Sequence, residues 1–170
     1  METIFHDFST PLFAFHRKEH WLGQTYLHFH IHYELDVIHS GEVTIIANGT
    51  RLYSRGACMI LYKPYCYHVN VDHKTDDYDI NVFHFNREIA AEISDFVDVD
   101  ELYKSNLTYI PLEGELYDEA MSLLGAFSDS PEREVERRLI LAALLDMAKR
   151  NMSLATTDMA VVNDEKLVYI

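Results

Sequence analysis

The feature that most constrains the fold is a succession of short segments between residues 25 and 86, rich in Tyr, Phe, Val, Ile and Thr and separated by turn residues. Such segments are typical of β-strands. In the clearest one, Asn48-Gly49 lies between two β-prone runs, and both residues tolerate the positive φ angles of a type I′ turn. Because no helical pattern interrupts the succession, we predict a β-sandwich or a small β-barrel. The predicted strands cover residues 25–30, 33–39, 57–62, 67–72 and 78–85, together with a hairpin at 42–54.

The pattern changes after Phe85, where helical periodicity replaces the strand pattern. The last helix is expected to begin with Ser130 as its N-cap and Pro131 at its first helical position. The chain is therefore expected to be mainly β, with helices towards its C-terminal end. The predicted elements are a short helix at 87–97, a strand at 107–112 and helices at 115–127 and 131–152.

The middle of the last predicted helix, residues 139–145, is apolar on every side. A surface helix needs only one apolar stripe, so this helix must be covered on two faces. A second subunit is the favoured cover, and burial within the helix's own domain is the alternative. The predicted homodimer interface consists of Leu139, Ile140, Ala143, Leu144 and Met147.

The charge of the chain excludes one class of function for these residues. The 170 residues contain 14 Lys and Arg against 28 Asp and Glu, which gives a formal net charge of -14. A protein that binds a phosphate backbone needs a surplus of basic residues. These residues are therefore not expected to bind nucleic acid themselves. A chain of this length can bury a substantial hydrophobic core.

The sequence predicts a cytoplasmic protein without a membrane partner. Cys58 and Cys66 match no redox or zinc pattern, and a domain of this size does not need a disulfide. The first residues lack the basic region and apolar run of a signal peptide. The longest apolar run, at 139–145, is far too short to cross a bilayer.

A cluster of histidines and one glutamate is the best candidate for a functional site. His28 and His30 alternate on one face of a predicted strand, and Glu34 can return to that face after a tight turn. If neighbouring strands bring His68 opposite, three imidazoles and one carboxylate converge. That set suits Zn, Ni, Fe, Mn or Cu, with open positions for a small ligand. The alternative is that these are ordinary polar residues, each hydrogen-bonded to a neighbour.

Three other side chains near this cluster are open to two interpretations. Tyr26 has the same parity as His28 and either lines the same cavity or belongs to the core. His32 is expected in the turn and His39 on the opposite face, both with structural or solvated roles. The predicted ligand-binding residues are Tyr26, His28, His30, Glu34 and His68, and the predicted metal ligands are the last four.

These residues carry a family resemblance. The spacing H-x-H-x3-E-x6-G, filled by His28, His30, Glu34 and Gly41, resembles the first cupin motif, and Gly56…Pro64…His68 resembles the second. The second motif has Cys66 in place of the usual glycine and Asp72 where asparagine is common. Residues 28–86 as a whole resemble the N-terminal sensor domain of AraC-type bacterial transcription regulators.

The resemblance implies a cupin-like (jelly-roll) β-barrel followed by C-terminal dimerisation helices. It implies a small-molecule effector, a homodimer, no enzymatic activity, and DNA contact only through a helix-turn-helix domain beyond residue 170. Members of this family often keep the histidine and glutamate pattern without a metal. The alternatives are a free-standing metal-dependent cupin enzyme, an isomerase or dioxygenase, and a domain that dimerises but has lost ligand binding. The implied divisions are a barrel with an N-terminal arm at 1–112, a helical segment at 113–160 and a linker or first helix at 161–170.

Overall fold

The structure, a computed structural model, describes residues 4–5, 10–18, 27–72, 78–129 and 133–157. In chain order the strands are β1 (Ile4–Phe5), β2 (Leu12–Lys18), β3 (His28–Phe29), β4 (Tyr33–Ser40), β5 (Glu42–Ala47), β6 (Thr50–Arg55), β7 (Cys58–Tyr62), β8 (His68–Asp72), β9 (Asp79–Phe85), β10 (Leu107–Pro111) and β11 (Thr156–Thr157). The helices are α1 (Arg87–Glu92), α2 (Val99–Leu102), α3 (Glu115–Ser128) and α4 (Glu134–Arg150), and a 3-10 turn follows at Met152–Leu154.

The strands form two sheets, which confirms the prediction of a mainly β fold with C-terminal helices. One sheet has the order β1-β3-β8-β5-β6 and the other the order β11-β10-β7-β4-β9-β2. Neighbouring strands are antiparallel except for β1 and β3, which run parallel. The described strands give a barrel-like arrangement of two facing sheets rather than a closed barrel.

The predicted hairpin is present. Asn48 and Gly49 have φ angles of 45° and 84°, and they connect β5 to β6, whose adjoining residues Ala47 and Thr50 are paired. Two consecutive positive φ angles define a type I′ turn, whose twist matches that of the flanking strands. The turn thus fixes the register of the pair.

The six-stranded sheet separates two hydrophobic cores. On β4, Leu35 and Val37 face a core shared with the helices, whereas Ile38 faces a core shared with the five-stranded sheet. Side chains alternate along a strand, so β4 and its neighbour β9 contribute to both cores at once. On β9, the ring of Phe83 packs edge-on against Phe127 of α3, with 4.9 Å between the ring centroids.

The region after the barrel differs in detail from the prediction. The helix expected at 87–97 ends at Glu92, and Asp98 starts the separate helix α2 by accepting a hydrogen bond from the amide of Glu101. An aspartate in this position stabilises a new helix start, so one helical pattern becomes two short helices. Helices α3 and α4 match the predicted helices closely, but the proposed cap residues Ser130 and Pro131 lie outside the described residues.

The placement of α4 corrects part of the predicted dimer interface. Leu144 and Met147 are fully buried in the core that the chain builds with its own sheet, so a second subunit cannot reach them. Leu139 is 46% exposed, and Ile140 and Ala143 are half-buried. Much of the apolar helix is therefore covered by its own domain, which was the alternative interpretation.

None of the described helices is long and apolar enough to cross a membrane.

Strand β2 was not predicted. It forms the edge of the six-stranded sheet and pairs with β9 along its whole length, from Leu12 opposite Phe85 to Lys18 opposite Asp79. Its alternation is weak in the sequence because His16 occupies a position that would otherwise be apolar. Part of the proposed N-terminal arm is thus a strand of the sheet.

Candidate metal site

The structure brings together the four residues that the sequence singled out. His28 lies on β3 and is paired in register with His68 on β8, while Glu34 lies on β4 of the facing sheet. One ligand atom from each of His28, His30, Glu34 and His68 lies within 4.8 Å of every other. All four side chains are buried. The cluster therefore joins the two sheets at one point in the interior.

The Glu34 carboxylate is at the centre of this cluster. Its Oε2 atom is 2.5 Å from Nε2 of His30 and 3.1 Å from Nε2 of His68. Two donors on one metal are typically about 3 Å apart, since each metal–ligand bond is about 2.1 Å long. Small shifts of buried side chains would suffice to place a cation among them.

Two backbone carbonyls orient the imidazole rings. Nδ1 of His30 donates to the carbonyl of His32 at 3.1 Å, and Nδ1 of His68 donates to the carbonyl of Cys66 at 3.0 Å. A carbonyl can only accept, so each ring carries a proton on Nδ1, and its Nε2 is directed at Glu34. Histidine ligands of metals are commonly fixed in this way, with the second nitrogen bonded to a carbonyl.

The charges in the cluster balance one another. Burial raises the pKa of Glu34, but the charge of His68 and the hydrogen bonds from His30 and His68 outweigh burial and hold that pKa well below its usual value. Burial lowers the pKa of His68, but Glu34 and the bond to Cys66 prevail and raise it to about 10. Glu34 is thus an anion that requires cationic neighbours, which protons or a metal ion can supply.

A further histidine, His84, lies beside the cluster, and no motif in the sequence indicates it. It lies on β9 directly opposite Glu34, and its Nδ1 atom is 3.7 Å from Oε2 of Glu34. Burial lowers the pKa of His84 to about 3, although Glu34 acts in the opposite direction, so its ring is neutral at pH 7. Only the register between β4 and β9 reveals this neighbour, and the sequence does not determine that register.

A polar row extends the site deeper between the sheets. Asp36 is fully buried and accepts a hydrogen bond of 2.6 Å from the Asn70 amide, while the Tyr62 hydroxyl donates to Asn70 at 2.5 Å. Burial and the nearby Glu34 raise the pKa of Asp36 well above its usual value. Asp36 therefore takes up a proton more readily than an exposed aspartate does.

The remaining predicted residues have different placements. Tyr26 lies outside the described residues. His32 lies in the bend before β4, as predicted, where it is buried and its backbone carbonyl accepts a hydrogen bond from His30. His39 lies in a second cluster, together with His16 and Asp79. Cys66 is a buried free cysteine that forms no disulfide, as expected for a small packed side chain.

The residues present fit a divalent transition metal. Neutral imidazoles and one carboxylate are the donors that such ions prefer, and four protein donors leave positions open in a five- or six-coordinate ion. The two carbonyl-fixed rings and the buried, ionised Glu34 support this interpretation more directly than the motif does. The ligands would be His28, His30, Glu34 and His68.

The chain has the fold of the N-terminal ligand-binding domain of AraC-family transcription regulators. Its structural neighbours include ToxT from Vibrio cholerae strain SCE256, in an apo form with a TM-score of 0.60 and 9% identity, covering 91% of this chain and 62% of that chain. Wild-type ToxT from the same strain, bound to an unsaturated fatty acid, gives a TM-score of 0.54 and 15% identity, covering 88% of this chain and 58% of that chain.

The AraC-like transcriptional activator CuxR is a further neighbour, with a TM-score of 0.49 and 13% identity, covering 88% of this chain and 52% of that chain. The chain thus spans about three fifths of the length of the ToxT chains it matches, 62% and 58% in the two structures. No protein-family model and no curated protein matches this sequence. At these identities the likeness establishes a shared fold.

Proposed function

We propose that this chain is the small-molecule-sensing domain of an AraC-type transcription regulator that acts in the cytoplasm and is not an enzyme. The observation that carries the proposal is a direct bond between the buried cluster and the helical layer. The hydroxyl of Tyr103, at the end of α2, donates to the backbone carbonyl of Glu34 at 3.2 Å. A ligand that moves Glu34 must therefore also affect the position of α2.

The proposed binding site is the interior cluster between the sheets. His28, His30, Glu34 and His68 would hold a divalent transition metal, and such an ion, when bound, supplies a Lewis-acidic anchor for an oxygen atom of a small molecule. Asp36 and Asn70, which are hydrogen-bonded to each other, add polar side chains beside it. The net charge of -14 disfavours polyanionic effectors, since long-range repulsion slows their approach.

Strand β4 is the proposed route from ligand to helices. Glu34 faces the interior, whereas Tyr33 and Leu35 face the helical core, and the Tyr33 hydroxyl donates to Asp100 of α2 at 2.9 Å. A ligand shifts an equilibrium only by its difference in affinity for two arrangements. We propose that the two arrangements differ in how α2 and α4 pack, and that an attached basic domain outside these residues contacts DNA.

The second candidate function is a metal-dependent cupin enzyme, an isomerase or dioxygenase. The buried set of three histidines and one carboxylate favours it, because the same donors support catalysis when substrate takes the open positions. Turnover separates the two functions: an enzyme converts the small molecule, whereas a sensor binds it and releases it unchanged.

A ligand screen by thermal unfolding tests the sensing proposal. The metal-loaded chain is mixed with a library of neutral and cationic metabolites, and the melting temperature and the chemical identity of each compound are measured. A true effector at about a hundred times its Kd should stabilise the chain by about 2.7 kcal/mol, a rise of roughly 5–10 °C. A compound that is consumed would favour the enzyme, and a library without any stabilising compound would contradict both functions.

Dimerisation through α4 gives a separate prediction. Val135 and Leu139 are exposed apolar residues one turn apart on this helix. We expect Leu139→Glu to convert a dimer into a monomer in light scattering, with little change in monomer stability because Leu139 is at the surface. Leu154→Glu changes another exposed leucine, outside α4, and should leave the dimer intact. A monomeric wild-type chain, or a dimer unaffected by Leu139→Glu, would argue against this interface.

A further inference from the structure

A second group of metal-binding side chains lies apart from the interior cluster. His16 on β2, His39 on β4 and Asp79 on β9 each offer one ligand atom, and these atoms all lie within 4.8 Å of one another. Three strands of the six-stranded sheet thus contribute one residue each. None of these residues belongs to the cupin-like motifs.

An irregularity in the sheet positions His39. The register between β4 and β9 shifts between Ile38 and Ser40, so His39 is the additional residue of a β-bulge. Bulges redirect a side chain and occur often beside functional sites. Here the bulge places His39 next to His16, and the two rings stack with 5.4 Å between their centroids.

One ring nitrogen of each histidine in the cluster faces Asp79. Nε2 of His39 donates to Oδ1 of Asn81 at 2.6 Å, which leaves its Nδ1 as the nitrogen that faces Asp79 Oδ2, 3.6 Å away. That distance is too long for a hydrogen bond but close to the roughly 3.4 Å between two ligands of a tetrahedral metal. Nε2 of His16 contacts the other oxygen of Asp79.

The site is accessible to ions in solution. The His16 side chain is 39% exposed, while His39 and Asp79 are each 16% exposed. Two imidazoles and a carboxylate suit Zn²⁺ and related ions, and three protein ligands leave a position for water. The strongly acidic chain also attracts cations.

We propose that His16, His39 and Asp79 form a second divalent-metal site, at the edge of the six-stranded sheet, which binds a Zn²⁺-like ion and fastens strand β2 to β4 and β9. Strand β2 pairs with β9 through its backbone, and the ion adds a cross-link that also reaches β4. Occupancy of this site therefore controls how firmly the N-terminal strand is held. The site is independent of the sensing function proposed above.

Zinc titration of the full chain tests this proposal. Tag-free protein stripped with a chelator is titrated with Zn²⁺ alone in a calorimeter. The wild type should bind two equivalents, and His16→Gln and Asp79→Asn should each bind one. Asp95→Asn removes the same charge from an exposed aspartate after α1 and should still bind two. His28→Gln removes an interior ligand and should retain the equivalent at the sheet edge.

Hydrogen exchange provides a readout that is specific to β2. At a Zn²⁺ concentration of about a hundred times the Kd, exchange of the 12–18 amides should slow by up to about a hundredfold in the wild type and in His28→Gln, but not in His16→Gln. A chain that binds one equivalent, lost in His16→Gln, would support this site and contradict the interior one. The proposal is overturned if His16→Gln and Asp79→Asn both retain two equivalents with wild-type affinity. If Asp79→Asn does not fold, His16→Gln decides the test, because the His16 side chain is partly exposed and its replacement should leave the fold intact.

Discussion

Replacing Glu34 with glutamine is expected to abolish tight metal binding in the interior cluster. Loss of partners that merely orient a ligand weakens metal binding about 10- to 100-fold, so loss of the central carboxylate should exceed a hundredfold. The carboxylate lies within 3.1 Å of two imidazoles, and an amide of the same shape cannot replace its charge. Elemental analysis of protein purified from a metal-containing medium, followed by competition with a coloured chelator, measures the loss.

The same substitution should also destabilise the metal-free chain. Removing one partner of a buried ion pair typically costs about 3–5 kcal/mol, because the remaining charge stays buried without compensation. Urea unfolding of the stripped protein measures this change in free energy. Glu113→Gln is the matched control, since Glu113 is exposed and outside both clusters.

His28→Gln keeps the prediction testable if the Glu34 variant does not fold. Glu34 makes the short contacts within the cluster, so His28→Gln should retain the fold while losing interior metal affinity. A Glu34→Gln protein that carries as much metal in the interior as the wild type would exclude Glu34 from the ligand set.

The second large effect is expected from Phe83→Ala. Phe83 is fully buried on the helical side of the six-stranded sheet, and its ring packs edge-on against Phe127. Deletion of a buried phenylalanine ring leaves a cavity and typically costs about 3–5 kcal/mol. The melting temperature should fall by roughly 10 °C for a chain of this size. Urea and thermal unfolding measure both quantities.

Two controls define what the Phe83 result means. Phe83→Leu nearly conserves the side-chain volume and should lower the free energy of unfolding by less than about 1.5 kcal/mol. Tyr53→Ala removes an exposed ring and should change that free energy by less than about 0.5 kcal/mol. Interior metal binding should survive in Phe83→Ala, because that side chain faces away from the cluster. If Phe83→Ala lost interior metal binding together with stability, the helical core and the metal cluster on opposite faces of the sheet would not be independent.

The four metal-ligand candidates could be found from the sequence because their positions follow from local rules. His28 and His30 are two residues apart, so strand periodicity predicts that they share one face, and Glu34 can return to that face after a short bend. The pairing of His28 with His68 needed one assumption about neighbouring strands, and the structure has that pairing. The hairpin at Asn48-Gly49 was predictable for a similar reason, since its turn chemistry is encoded in two adjacent residues.

Other features depend on contacts between distant segments, which no local pattern encodes. His84 joins Glu34 only through the register of β4 against β9. The bulge that turns His39 towards His16 is likewise a property of strand pairing. Leu144 and Met147 are apolar enough for either a subunit interface or a core, and only the packing of α4 on the sheet decides between them.

Strand β4 has a consequence for how this domain can change in evolution. Its inward residues Glu34 and Asp36 belong to the site, and its outward residues Leu35 and Val37 belong to the helical core. Inserting or deleting one residue would exchange the two sets, placing carboxylates among leucines and valines. Homologues should therefore keep the length of the first half of β4 unchanged. Length changes should be confined to the bulge after Ile38, where the sheet already accommodates an additional residue.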